Sequence, residues 1–263
     1  MKRFYKQAAV TDDGAYGVAG ITYGATGITY GVAGIAYGVA GITDGATGIT
    51  YGVALDGRPL RTPARAALAV PTRALAEAIA AEWNAQGEEI QPRTMPLTGL
   101  SNAAIDRVAP DPAAFADGLS VFAENELLAY RAEHPPVLVA HQAAHWDPWL
   151  AWARARYDVN FTLVAGIIHL AQPPATLARL GAAYRGFDAF HLAALNPVVT
   201  ISGSAVIGLA VAQGAMDADE AWTIGHLDEL WQAEQWGKDP LAEAGHKERR
   251  DDLAAAVAML RLI

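Results

Sequence analysis

The chain has 263 residues, a net charge of −9 at neutral pH and no cysteine. That charge, with no Lys/Arg-rich run, excludes nucleic acid and anionic membrane surfaces as partners, and the missing cysteines exclude disulfides, thiol catalysis and Cys-ligated metal centres. After Met1-Lys2-Arg3-Phe4-Tyr5-Lys6 the chain turns polar and acidic at Gln7 and Asp12-Asp13, where an export signal needs an apolar run, so no such signal is expected.

In chain order, the apolar/polar segment 3–10 reads as a first strand and leads to a tandem repeat. Tyr16-Gly17-Val18-Ala19-Gly20-Ile21-Thr22 recurs from Tyr23, Tyr30, Tyr37 and Asp44, and a partial copy, Tyr51-Gly52-Val53-Ala54, runs into Leu55-Asp56-Gly57. Removing the 35 residues 16–50 joins Ala15 to Tyr51, which reads as one strand ending in an Asp-Gly turn. The repeat is uncharged from Tyr16 to Thr43, yet eight of those residues are glycine, so it makes a poor membrane-spanning helix. Helix of any kind is disfavoured, because ten glycines at about 1 kcal/mol each would cost roughly 10 kcal/mol. One long strand is also awkward: seven is odd and the strand period is two, so successive tyrosines would change faces. Hairpins folding back at the glycines, or disorder, remain, and an open edge here would invite aggregation.

Arg58-Pro59-Leu60-Arg61-Thr62-Pro63 and Ala67-Leu68-Ala69-Val70 complete a small, mainly antiparallel β unit. Beyond Pro71 the period lengthens. Thr72 caps a helix with Leu75, Ile79 and Trp83 on one face, ended by Gly87. Leu97, Leu100, Ala104, Ile105 and Val108 share a second helical face, and Asp111-Pro112 opens a third helix through Phe115, Leu119 and Phe122 toward Tyr130. Further helices are expected at 137–146, 148–157, 174–195 and 197–213, with a strand at 159–164. The apolar run 198–212, about 15 residues, is too short to cross a bilayer and reads as a buried helix. Asp217 and Glu220 have capping-box spacing for a last well-marked helix, which Gly237 ends. The expected class is α+β: a β-rich N-terminal domain, 1–92, carrying the 16–50 insertion, and a mainly helical domain, 93–263.

Phosphate-binding loops, dinucleotide fingerprints and serine elbows are all absent from the sequence. His141 and His145 stand at i, i+4 with Asp147 nearby, a spacing that suits two hydrogen-bonded histidines better than a metal pair because the glutamate of a zinc-protease motif is missing. Ser202 and Ser204 read as small residues at a helix contact. In the late helix, Asp228, Glu229 and Glu234 stand near Trp231. That set suits a solvated face, an acid/base pair with one carboxyl raised by burial, or a partner surface of aromatics rimmed by acids.

Several segments together resemble the F-type ATP synthase assembly chaperones of mitochondria and alphaproteobacteria that bind the free alpha subunit. They are Lys2-Arg3-Phe4-Tyr5-Lys6; Leu55-Asp56-Gly57-Arg58-Pro59-Leu60-Arg61-Thr62-Pro63; Ala81-Glu82-Trp83; Met95-Pro96-Leu97-Thr98; 102–106; 142–148; and 228–237 with Trp231-Gln232-Ala233-Glu234-Gln235-Trp236-Gly237 at its centre. The resemblance implies a chaperone without enzymatic activity or cofactor. Its partner would be the unassembled alpha subunit, and it would be monomeric when free. It also implies partner-binding roles for Glu234, the match to a functionally critical family glutamate, with Gln232, Trp236, Asp228, Glu229 and Trp231 around it. Trp83 matches another family tryptophan, although its i+8 relation to Leu75 also suits packing. With no presequence ahead of Lys2, a bacterial cytoplasmic homologue is expected. The competing expectation is a carboxylate-dependent hydrolase using Glu234 and Asp228.

Overall fold

In the computed structural model, which describes residues 1–12, 22–24, 27–32, 35–39, 50–237 and 240–263, the N-terminal unit is organised by one antiparallel pairing. β1 (Ala8–Asp12) runs against what becomes the fifth strand, with Ala8 opposite Leu55 and Asp12 opposite Tyr51. Between the two lie β2 (Thr22–Gly24), β3 (Gly27–Val32) and β4 (Ile35–Val39), which make a sheet of their own in that order. Thr22 pairs with Thr29 and Tyr30 with Tyr37, so each antiparallel ladder contains one pair of equivalent positions from adjacent repeat units. Hairpins are thus found where the repeat is described. Its remaining residues, 16–21, 25–26, 33–34 and 40–49, lie outside the described ones.

β5 (Tyr51–Leu55) also pairs with β6 (Arg58–Pro59) and β7 (Ala69–Val70), giving a four-stranded antiparallel sheet. The first strand expected from segment 3–10 is β1, and the strand expected to end at Asp56-Gly57 is β5; the two are antiparallel neighbours. Asp13-Gly14 is a turn dipeptide that with Ala15 would bridge Asp12 and Tyr51 once the repeat is gone. The expected Asp-Gly turn is present: Asp56 and Gly57 have φ of 47° and 78°, the positive pair that a two-residue hairpin turn needs. The Asp56 carboxylate accepts the Lys6 and Gln7 backbone N–H groups at 2.9 Å each, which holds its pKa below the ordinary value.

α1 (Arg73–Asn84) begins as its cap predicts, the Thr72 hydroxyl accepting from the Leu75 N–H at 3.1 Å. Leu75, Ala76, Ile79 and Ala80 face the sheet and are buried, each large side chain contributing about 1.5–3 kcal/mol. From the exposed end of α1, Glu82 caps α2 (Pro96–Ala103), accepting from the Leu97 and Thr98 N–H groups at 2.7 and 2.8 Å. Burial raises its pKa against the lowering effect of those bonds. α2 continues into a π-helical turn, Ala104–Val108. The compact unit accordingly comprises Met1–Pro112 with Asp188–Ala194 and Ala258–Ile263. A boundary at 92 would part α2 from the glutamate that caps it.

The second unit comprises Ala113–Phe187 and Leu195–Val257. α3 (Pro112–Ser120) runs out into 3-10 turns at Val121–Asn125 and Leu127–Ala129 instead of continuing as a helix. β8 (Tyr130–Arg131) pairs in parallel with β9 (Val164–Ala165), all that remains of the strand expected at 159–164. α4 (Pro136–Tyr157) is continuous through Pro148, where two helices were expected; Leu138, Gln142, Trp146, Leu150 and Ala153 form one buried stripe on both sides of the proline. α5 (Pro174–Arg185) ends early, and α6 (Ala189–Ser202), capped by Asp188, runs through Pro197. Packing outweighs the lost proline hydrogen bond in both helices. The chain breaks instead at Gly203, whose φ is 70°, and Ser204 caps α7 (Ala205–Ala212) by accepting from the Ile207 N–H at 3.0 Å. Val206, Ile207 and Leu209 of α7 are fully buried, as expected of a core helix. Among the described residues no helix is long and apolar enough to cross a membrane.

Candidate partner-binding site

The late helix begins where the capping pattern places it, the Asp217 carboxylate accepting from the Glu220 N–H at 2.9 Å. It is nevertheless two helices, α8 (Ala218–Gly225) and α9 (Leu227–Trp236). At the joint, a Cβ on Gly225 would lie 3.0 Å from Ser202 Cβ and 3.1 Å from its Cα, so any other residue would crowd this approach. His226 then leaves helical geometry, stacks on Trp222 with ring centroids 3.7 Å apart, and donates from Nδ1 to the Trp222 carbonyl at 3.0 Å. Burial lowers its pKa, which keeps the stacked ring neutral. α10 (Pro240–Leu260) follows, and its His246 approaches Glu229 at 2.9 Å.

The start of α9 is held from α4 through Gln142, which is 1 % exposed. Its amide nitrogen donates to both Asp228 carboxylate oxygens at 2.8 and 3.0 Å, while its amide oxygen accepts from the Ala132 N–H at 2.8 Å. Four residues along α4, the Trp146 indole donates to the Ile224 carbonyl at 3.0 Å. Arg131 pairs with Asp147 at 2.7 Å and lies over the Trp146 ring, and its charge also acts on Asp228. Two polar side chains of α4 therefore fix the α8–α9 joint and the first turn of α9.

The far end of α9 is open. Gln232, Glu234 and Trp236 are exposed, Trp236 at 74 %, and Trp231 meets Trp236 edge to face with centroids 5.7 Å apart. Of the seven residues singled out in the sequence, six lie on α9: Asp228 and Glu229 are engaged within the unit, and Trp231, Gln232, Glu234 and Trp236 form the open end. Trp83 belongs to the N-terminal unit, where its ring packs against Tyr5 at 5.5 Å and its carbonyl accepts the Tyr5 hydroxyl. Asp228 and Glu234 do not converge as a hydrolytic pair: six helical residues put them about 120° apart around the axis and about 9 Å apart along it, and Asp228 is committed to Gln142. His145 Nδ1 donates to the His141 carbonyl at 2.8 Å and Asp147 to Arg131 is an ion pair, which leaves that trio with structural roles. Gln142 and Arg131 escaped the reading of residue types because neither carries a signature on its own; the 142–148 segment was the only pointer to the first.

With the fold and the open aromatic-acidic end of α9 described, comparison with known proteins gives the class of the protein. A family profile described as ATP12 chaperone protein matches residues 36–154. The mitochondrial atp12 protein of Schizosaccharomyces pombe is 24 % identical over 224 residues, covering 80 % of this chain and 77 % of its own length. The crystal structure of Atp12 from Paracoccus denitrificans superposes with a TM-score of 0.82 at 35 % identity, over 99 % of this chain and 97 % of that one. A putative chaperone from Agrobacterium tumefaciens gives 0.83 at 36 % identity, over 99 % and 85 %. The chain belongs to the ATP12 chaperone family, the class of ATP synthase assembly chaperones that the resemblance indicated. It is a chaperone and not an enzyme.

Proposed function

We propose that the chain binds the unassembled alpha subunit of the ATP synthase catalytic head and covers its apolar interfaces until the subunit pairs with beta, acting in the bacterial cytoplasm. Such a client exposes surface that is buried in the finished hexamer, and a holder must cover it reversibly to prevent aggregation. The observation that carries the reading is the open end of α9. Trp231 and Trp236 supply large, rigid apolar area beside Gln232 and Glu234, the composition of an interface anchor. Asp228, held by Gln142, and Glu229, held by His246, set the angle at which that end is presented. Trp83 contributes through the N-terminal unit.

The test is capture of separated alpha and beta subunits by the purified chain. Capture of alpha, suppression of its aggregation, and loss of both on Glu234→Lys or Trp236→Ala are expected. A pure, folded chain that leaves alpha-subunit aggregation unchanged would refute the reading.

A further inference from the structure

The second unit carries another exposed apolar feature. The 3-10 turns after α3 and the segment after β9 border an open groove of about 570 Å³ lined by Val121, Phe122, Leu127 and Ile167. Just before β9 Leu163 is 53 % exposed, and along the segment after it Ile167, Ile168 and Leu170 are 98, 80 and 47 % exposed. Four large apolar side chains standing in water within eight residues are a surface to be covered, because folded proteins otherwise scatter such residues singly.

Three features of the groove describe its occupant. Its polar side chains bond to one another: His169 Nδ1 lies 2.9 Å from Asn125 Oδ1 and 3.3 Å from the Tyr130 hydroxyl, which itself reaches Asn125 Oδ1 at 3.4 Å, and among the described residues no acidic or lysine or arginine side chain lines the groove. The groove thus asks for no charge. Next, Gly166 donates its N–H to the Arg131 carbonyl at 2.9 Å, but beyond it residues 167–171 make no backbone–backbone hydrogen bond among the described residues. Such a stretch of open main chain accepts an extended segment laid alongside it. Finally, a second copy would bring a charge of −9 against −9, which opposes self-association.

We infer that this groove seats one extended, apolar, uncharged segment of the unassembled ATP synthase subunit, its backbone running along 167–170 and its side chains entering between Val121, Phe122 and Ile167. The inference rests on the chain being a holder of that subunit. The groove is linked to the first turn of α9, since Tyr130 of the groove begins β8, and the Ala132 N–H just beyond β8 is bonded to Gln142, which grips Asp228. The groove floor is held from behind by Glu126, whose carboxylate lies between Asn125 and Leu127 in sequence and accepts from the Ser204 hydroxyl and the Val206 N–H.

The test uses the full chain with both Ile167 and Ile168 changed to serine, beside the unaltered chain, in capture of separated alpha and beta subunits. The substituted chain is expected to hold the captured subunit at least tenfold more weakly, with an unchanged melting temperature because both side chains stand in water. Undiminished capture by the substituted chain overturns the groove assignment and leaves the chaperone reading standing. Failure of the unaltered chain to capture either subunit overturns both. Self-association of the unaltered chain in sedimentation velocity, abolished by the same two substitutions, would give the groove to a second copy and overturn the inference.

Discussion

The 16–50 repeat and the α8–α9 region are opposites in how they are specified. The repeat is conspicuous in sequence, and where described it pairs only with copies of itself, Thr22 with Thr29 and Tyr30 with Tyr37. The α8–α9 region has no periodic signature, yet its position is set by single polar contacts from far along the chain, Gln142 to Asp228 and Trp146 to Ile224. The same device recurs at the starts of two further helices, Glu82 on α2 and Glu126 on α7. A repeated unit can be added or lost without loss of specification, whereas a clamp made by one side chain cannot. Substitutions at the clamps should therefore cost most, and deletion of the repeat least.

The largest effect is expected at Glu126, which is fully buried. Glu126→Ala leaves the Ser204 hydroxyl and the Val206 N–H without their acceptor in the core, at a cost of about 3 kcal/mol, which denaturant unfolding would measure. The same residue gives a pH dependence with a definite sign. Burial pushes its pKa up from 4.5 to about 7, against the lowering effect of the Ser204 hydroxyl and backbone N–H groups. The folded chain therefore holds this proton more tightly than the unfolded chain. The associated stability is complete below about pH 4.5 and is lost as pH rises toward 7, roughly 3 kcal/mol in all. Glu126→Gln should remove that component, visible as a flatter melting-temperature profile across the window. An identical slope in both proteins would show that the carboxyl is not the group titrating.

Asp228→Lys comes next. It sets an ammonium where Gln142 donates and where the Arg131 charge already acts, so the first turn of α9 must move and alpha-subunit capture should fall more than tenfold. Gln142, left buried without an acceptor for its amide nitrogen, adds about 1–3 kcal/mol of destabilisation. Asp228→Asn keeps an acceptor for Gln142 and should restore most of the capture. Rescue by asparagine distinguishes positioning of the helix from direct contact of the charge with the client. Trp236→Ala, by contrast, should weaken capture with melting unchanged, because the ring is 74 % exposed.

Much of this framework was legible in the sequence. Thr72, Asp217 and Asp56-Gly57 act as cap, cap and turn because such local chemistry involves only neighbours, and α7 is buried because its side chains are all apolar. The errors lie where tertiary packing outweighs a local rule. Pro148 and Pro197 sit inside helices whose flanks are packed, while the breaks fall at Gly203, whose φ is positive, and at Gly225-His226, where Gly225 closely approaches Ser202. The aromatic and acidic residues of α9 could be recognised, but their separation into a clamped first turn and an open last turn could not. That separation depends on Gln142, which is 86 positions from Asp228.

Removal of residues 16–50 should have the smallest effect, and the register explains why. β1 and β5 pair from Ala8 opposite Leu55 to Asp12 opposite Tyr51, so the ends that the deletion must join are already adjacent. Asp13-Gly14-Ala15 then forms a three-residue loop of a common hairpin type. A shorter connection also lowers the closure entropy slightly, by about 0.6 kcal/mol for each halving of its length. The shortened chain should be as stable as the full one or more stable by up to about 2 kcal/mol, capture alpha equally well, and aggregate less, because glycine-punctuated Tyr/Ile/Val strands without charge or proline are prone to edge pairing. Loss of capture on deletion would reverse the comparison, making the self-paired sheet part of the docking surface.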